Sequence, residues 1–176
     1  MTVDTRVRNA RVHLPWGSMD LDILVSGERI AGLVERADPP PARNDIDAGG
    51  LDAIPGLVDL HAHTRTPGLS YKEDFLTASR AAAAGGITTF VDMPNVDPPT
   101  DSAELLLEKR EIAARDCIVD WGHFASGSKP DNIPALAEAG VTGFKIFMIG
   151  GGYPHDDRIA VNSDADLYRS FEAIAA

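Results

Sequence analysis

Apolar positions along this chain follow two rhythms that meet near Pro55. Before it the runs are short: Val7, Ala10, Val12 and Leu14, then Leu21 to Val25, then Ile30 to Val34 after a Ser26-Gly27 turn. Segments of this kind bounded by turn residues predict a hairpin-like meander of strands. Pro39-Pro40-Pro41 interrupts the chain ahead of Ile46-Asp47-Ala48 and the pair Gly49-Gly50. A β layer of about 50 residues buries little by itself, so it is expected to pack on something else.

After Pro55 the rhythm becomes strand, loop, helix, repeated. Strands are expected over 57–61, 87–92, 118–124 and 143–148. Ser70 with Glu73 reads as a capping box ahead of a helix over 75–84 that Gly85-Gly86 closes, and Asp101 with Glu104 starts a second helix reaching about Arg115. Asp131 and Pro134 open a short third helix ending at Gly140, and Ser163 with Asp166 starts a fourth. The strands begin 30, 31 and 25 residues apart. That alternation predicts an α/β fold with a parallel sheet and right-handed crossovers. Four such units make either an open sheet or half of a (β/α)8 barrel, and in both the chemistry gathers at the carboxyl ends of the strands.

Composition narrows the function classes. Of the 176 residues 44% are hydrophobic and 24% charged, the proportions of a soluble globular chain. The 16 basic and 27 acidic residues leave a formal charge of -11 without a basic stripe, so nucleic acid is not an expected partner. No signal-peptide core lies within the first nine residues and no window approaches about 18 consecutive apolar residues, so no membrane partner is expected and the expected location is the cytoplasm. Cys117 is the one cysteine, which leaves nitrogen and oxygen to hold any metal and makes Cys117 itself inert packing.

The residues with chemistry fall at the expected strand ends. In Pro55-Gly56-Leu57-Val58-Asp59-Leu60-His61-Ala62-His63, an apolar run of the kind that forms a buried strand closes on two histidines. Strand alternation turns His61 and His63 to one side, converging two imidazoles as a half-site for a divalent ion such as zinc. Arg65, two residues on, would face the same way and could take a carboxylate bidentately. Asn95 follows the second strand in Asp92-Met93-Pro94-Asn95, His123 stands near the end of the third, and Lys145 lies in the fourth. Each has a plainer reading: solvated histidines, a surface salt bridge for Arg65, a turn at Asn95, and a lysine paired with an acid. His13 reads as structural.

As a set these motifs resemble the cyclic amidohydrolases of the amidohydrolase superfamily: dihydroorotase, allantoinase, hydantoinase and dihydropyrimidinase. The resemblance runs from Pro55–His63 through His63-Thr-Arg-Thr-Pro-Gly68, Tyr71-Lys-Glu-Asp74, Arg80-Ala-Ala-Ala-Ala-Gly-Gly-Ile-Thr-Thr89, Asp92-Met-Pro-Asn95 and Gly143-Phe-Lys-Ile-Phe-Met148. It implies a partial β-sandwich domain over 1–54 and part of a metal-dependent hydrolase TIM barrel over 55–176. It also implies two divalent metals, commonly zinc, sharing a hydroxide that attacks a ring amide and breaks its C–N bond. His61 and His63 would bind one metal. Lys145 would bridge both after carboxylation by CO2, because an ammonium cannot ligate a cation whereas a carbamate offers two anionic oxygens. Arg65 and Asn95 would hold the carboxylate of a ring substrate, as in dihydroorotases.

Two departures refine this. Arg65-Thr66-Pro67-Gly68 stands where dihydroorotases often have Arg-Glu-Pro-Gly, and Phe144-Lys-Ile-Phe-Met148 is closer to hydantoinases and allantoinases, whose Asn-Glu-Pro-Gly in allantoinases Arg65 does not match. A dihydroorotase-like reaction is expected, with an allantoinase-, hydantoinase- or dihydropyrimidinase-type one as the alternative. The family's further metal histidines and its general-base aspartate are expected beyond the chain end, since about 120 residues follow Pro55 against about 250 in a whole barrel. No catalytic acid or base is therefore assigned. His155, on a Gly-rich loop, reads as solvated, while His123 either supports the site or is a satisfied structural histidine. The expectation is the N-terminal part of a longer enzyme acting on a small cyclic amide or ureide. It would work as a homo-oligomer or with a missing C-terminal half, the other readings being a non-catalytic scaffold or one half of a split enzyme.

Overall fold

The computed structural model describes residues 2–148 and 156–176, and the chain divides into two compact units, Met1–Pro55 and Gly56–Ala176. The first contains β1 (Val3–Leu14), β2 (Gly17–Ser26), β3 (Arg29–Val34), β4 (Ala42–Asp47) and β5 (Asp52–Ala53). They form one mixed sheet in the order β3-β2-β1-β4, with β5 also paired to β1. Of the expected sandwich, the described residues thus supply a single sheet. Ala10, Val12 and Leu21 make its buried cluster. His13 is structural: its ring bonds Asp52 at 2.7 Å and Ser18 at 3.0 Å, tying β1 to β5 and β2.

The second unit alternates β6 (Leu57–Ala62), α1 (Phe75–Ala84), β7 (Ile87–Asp92), α2 (Ala103–Asp116), β8 (Asp120–Ser126), α3 (Ile133–Glu138), β9 (Gly143–Lys145) and α4 (Asp164–Ala175). Its four strands are parallel and lie in chain order, β6-β7-β8-β9. A doubly wound sheet reverses its strand order at a switch point, whereas a barrel adds each strand beside the last. The observed order is the barrel's. Phe75, Phe90 and Ala113 form one buried cluster, and Leu106, Ala125 and Leu136 a second. Burying a side chain as large as Phe75 contributes roughly 1.5–3 kcal/mol.

Several local expectations change. α1 is capped by Asp74, which accepts from Thr77 N at 2.7 Å in a capping box with Thr77. Ser70 instead bonds Thr66. α2 is capped by Ser102, because Asp101, one residue further out, is drawn into an ion pair with Lys129 at 2.6 Å. The expected caps thus lay one to four residues too far upstream, while Ser163 does cap α4, accepting from Asp166 N at 3.1 Å. The expected buried strand is also corrected. Leu57, Val58 and Leu60 are 49%, 59% and 62% exposed, because β6 is an edge strand, covered on one side only among the described residues. The fourth strand ends at Lys145, and Phe147 then makes an isolated bridge with Ala160. His155 and its loop lie outside the described residues.

Candidate active site

β6 stops at Ala62, so His61 is its last residue but one and His63 stands just past it. The two rings still face one another, 5.2 Å between centroids and tilted by 55°. With Asp59, Glu73 and Ala78 they line a groove of about 430 Å³. Among the described residues, no three His, Cys, Asp or Glu side chains are grouped closely enough to hold one ion. The geometry is therefore a pair of neighbouring imidazoles.

The environment of His63 favours its neutral form. Burial pushes the His63 pKa below its ordinary value, the Arg65 cation pushes it further, and Asp92 and a side-chain hydrogen bond with Asn95 oppose. A neutral imidazole retains a ring lone pair for a cation.

The loop after β6 is held by β7. Met93 N donates to Ala62 O at 2.9 Å, and Thr64 N donates to Asp92 Oδ1 at 2.6 Å. His63 is thereby fixed between two anchors. Asp92 is fully buried and ion-paired through Oδ2 with the equally buried Lys109 of α2, whose ammonium also donates to Met93 O at 2.9 Å. Oδ2 meets the ammonium as a charge contact rather than an aligned hydrogen bond.

Arg65 does not reach the site by strand alternation as expected. Its φ is +60°, in the left-handed region that a residue with a Cβ enters at a cost of about 1 kcal/mol. Its carbonyl accepts from Leu69 N at 3.0 Å, closing a turn. This turn, not an extended chain, places the guanidinium where it acts on His63. Gly68 makes the turn possible: its φ is +79°, and a Cβ there would fall 2.0 Å from Asp97 O.

Asn95 is nearly buried and bonded to His63. His61, His63, Arg65 and Asn95 are thus brought together. Lys145 takes its place on β9, the opposite edge of the sheet, beside Ser126, with its ammonium 5.6 Å from the Phe147 ring centroid. His123 is 2% exposed, and neither ring nitrogen has a hydrogen bond. It packs on Trp121 and Phe75 at 5.1 and 5.7 Å. Burial, aided by Lys109 and Arg110, drives its pKa down to about 3, so it is a neutral packing ring rather than a satisfied polar one. Cys117 ends α2 half-buried, its thiol pushed up to about 12 by burial, and is inert as expected.

Sequence reasoning missed Lys109. Its signal was present: it sits three residues after Leu106 and four before Ala113, on the helix's apolar face, where a charge demands a partner.

The family model described as the Amidohydrolase family matches residues 53–174. An allantoinase of Streptomyces avermitilis is 41% identical over 155 residues, covering 85% of this chain and 35% of that protein. A dihydroorotase of Methanothermobacter thermautotrophicus is 37% identical over 135 residues, covering 77% of this chain and 30% of that protein. The structure titled L-hydantoinase (dihydropyrimidinase) from Arthrobacter aurescens superposes with a TM-score of 0.87 at 35% identity, over 98% of this chain and 38% of that one. The chain thus spans about a third of the length of these relatives.

Proposed function

The chain belongs to the amidohydrolase family, and from that premise we propose that it carries part of the active site of a metal-dependent hydrolase that opens a cyclic amide at its C–N bond. The observation that carries this reading is the convergence of His61 and His63 at the end of β6 with Arg65 turned in beside them. A divalent ion fits the donor set in part. Two imidazoles are nitrogen ligands of the kind zinc accepts, and the described residues add no third carboxylate or imidazole. When bound, such an ion would polarise a ring carbonyl and lower the pKa of a water. Lys145, carboxylated by CO2, is the proposed anionic ligand, since carbamylation replaces its ammonium by an oxygen donor. The two-zinc site of the resemblance needs further ligands, proposed to come from a C-terminal half or a second copy of the chain.

The chain's own residues do the rest. Asn95 orients the His63 ring. Arg65 holds a substrate carboxylate and, as a fixed cation beside His63, disfavours protonation of that ligand. This favours a dihydroorotate-type ring. A neutral hydantoin or allantoin ring is the second reading, favoured by the similarity to an allantoinase and an L-hydantoinase and by the engagement of Asn95 with His63. No helix among the described residues is long and apolar enough to cross a membrane, and the cytoplasm is the proposed location.

The test is turnover of dihydroorotate, allantoin, hydantoin and dihydrouracil by native protein and Arg65→Met, each with zinc and bicarbonate. Loss confined to dihydroorotate supports the carboxylate role, and equal loss on all rings refutes it. Turnover only after mixing with a polypeptide supplying the further strands would identify a split enzyme. Turnover by the chain alone would eliminate the scaffold reading.

A further inference from the structure

We propose that Asp92 and Lys109 form a buried ion-pair clamp that sets the position of His63 through the Thr64 amide, making both of them positioning residues for ion binding. The inference rests on the reading of His61 and His63 as ion ligands. Asp92 is the last residue of β7 and Lys109 lies midway along α2, so the pair joins helix and strand beneath the site. Neither side chain reaches solvent. Asp92 Oδ1 takes the Thr64 N–H at 2.6 Å, the one backbone donor between His63 and Arg65, while Lys109 holds the other carboxylate oxygen and the Met93 carbonyl. Met93 in turn donates its own N–H to Ala62 O, on the near side of His63.

The consequence is that the backbone on both sides of His63 is tethered, on the Thr64 side by a charge-assisted bond to a buried carboxylate. A carboxylate buried there needs a cation. Lys109 supplies it, and the neutral ring of His123 beside them adds no competing charge. A protein with no use for a fixed His63 could fill this layer with apolar side chains at no loss of stability.

The clamp is tested by calorimetric titration of the 176-residue chain with Zn2+, using native protein, Asp92→Ala and Lys109→Met, with unfolding midpoints and amide exchange at Thr64 measured alongside. Outer groups that orient metal ligands commonly account for about 10- to 100-fold in affinity. Zn2+ should therefore bind at least about tenfold more weakly to both variants, at temperatures well below their midpoints. An Asp92→Asn/Lys109→Met double variant, which keeps an acceptor for Thr64 N without burying a charge, should recover most of the affinity. Unchanged affinity in a folded single variant would overturn the proposal and leave the pair a merely structural one. Where Asp92→Ala does not fold, Lys109→Met decides alone.

If native protein takes up no more Zn2+ than a His61→Ala/His63→Ala variant, the ligand reading fails, and the clamp is then judged on exchange. Thr64 exchanging at least tenfold faster in Lys109→Met, with other amides of β6 and β7 unchanged, sustains it as a clamp on the loop. Equal exchange refutes it.

Discussion

Replacing His123 by Phe should remove much of the acid sensitivity of the Gly56–Ala176 unit. The histidine is 2% exposed, packs between Trp121 and Phe75, and has no hydrogen bond on either ring nitrogen. A phenyl ring therefore sacrifices no polar partner. Burial, with Lys109 and Arg110, lowers the native pKa from 6.5 to about 3. Between those values the unfolded chain binds a proton that the native chain refuses, so stability falls as pH drops below 6.5 and the loss is complete near pH 3. At pH 4 the gap is about 2.5 pH units, which at 1.36 kcal/mol per unit is about 3 kcal/mol. The assay is urea unfolding at pH 7 and pH 4, read from Trp121 fluorescence in a Trp16→Phe background; Trp16 is 77% exposed and its replacement should be silent. Native protein should lose about 3 kcal/mol more than His123→Phe over this interval. Parallel losses in the two proteins would refute the buried, neutral histidine.

Lys109→Met alone leaves the Asp92 carboxylate buried without its cation and should cost about 3–5 kcal/mol in denaturant unfolding; a loss under about 1 kcal/mol would mean that the pair is hydrated in solution. Phe75→Ala, emptying the centre of the α1–β7 cluster, should cost about 3–5 kcal/mol by the same measurement. Gly68→Ala should disturb the site turn through the clash with Asp97 O, seen as displaced Arg65 and His63 resonances at unchanged strand resonances, whereas Gly49→Ala, with open space around it, should leave them in place.

The architecture was legible because it rests on periodic signals. Strand and helix alternation located all four βα units, and α1 and β7 fall on the expected residues. Their order in the sheet was not legible, since strand patterns do not say which neighbour each strand chooses. Caps went astray at Ser70 and Asp101 because several Ser and Asp residues within four positions of the helix start can each serve as a cap, and only the backbone conformation of Asp74 and Ser102 decides. Burial of Leu57, Val58 and Leu60 was misjudged because an apolar run records what a strand can cover, not whether a neighbour is present. At the site, His61 and His63 could be paired from spacing alone. The approach of Arg65 could not, because it depends on a left-handed turn secured by Gly68 across a tertiary contact with Asp97. The Asp92–Lys109 pair required knowing which helix face lies on which strand end.

The most direct test of the histidine half-site is zinc content by elemental analysis of the chain purified with zinc and bicarbonate, beside His61→Ala/His63→Ala prepared identically. Zinc retained by the native chain through dialysis and lost from the variant is the expected result. Equal zinc in both, or none in the native chain, would contradict the assignment of these two residues as metal ligands.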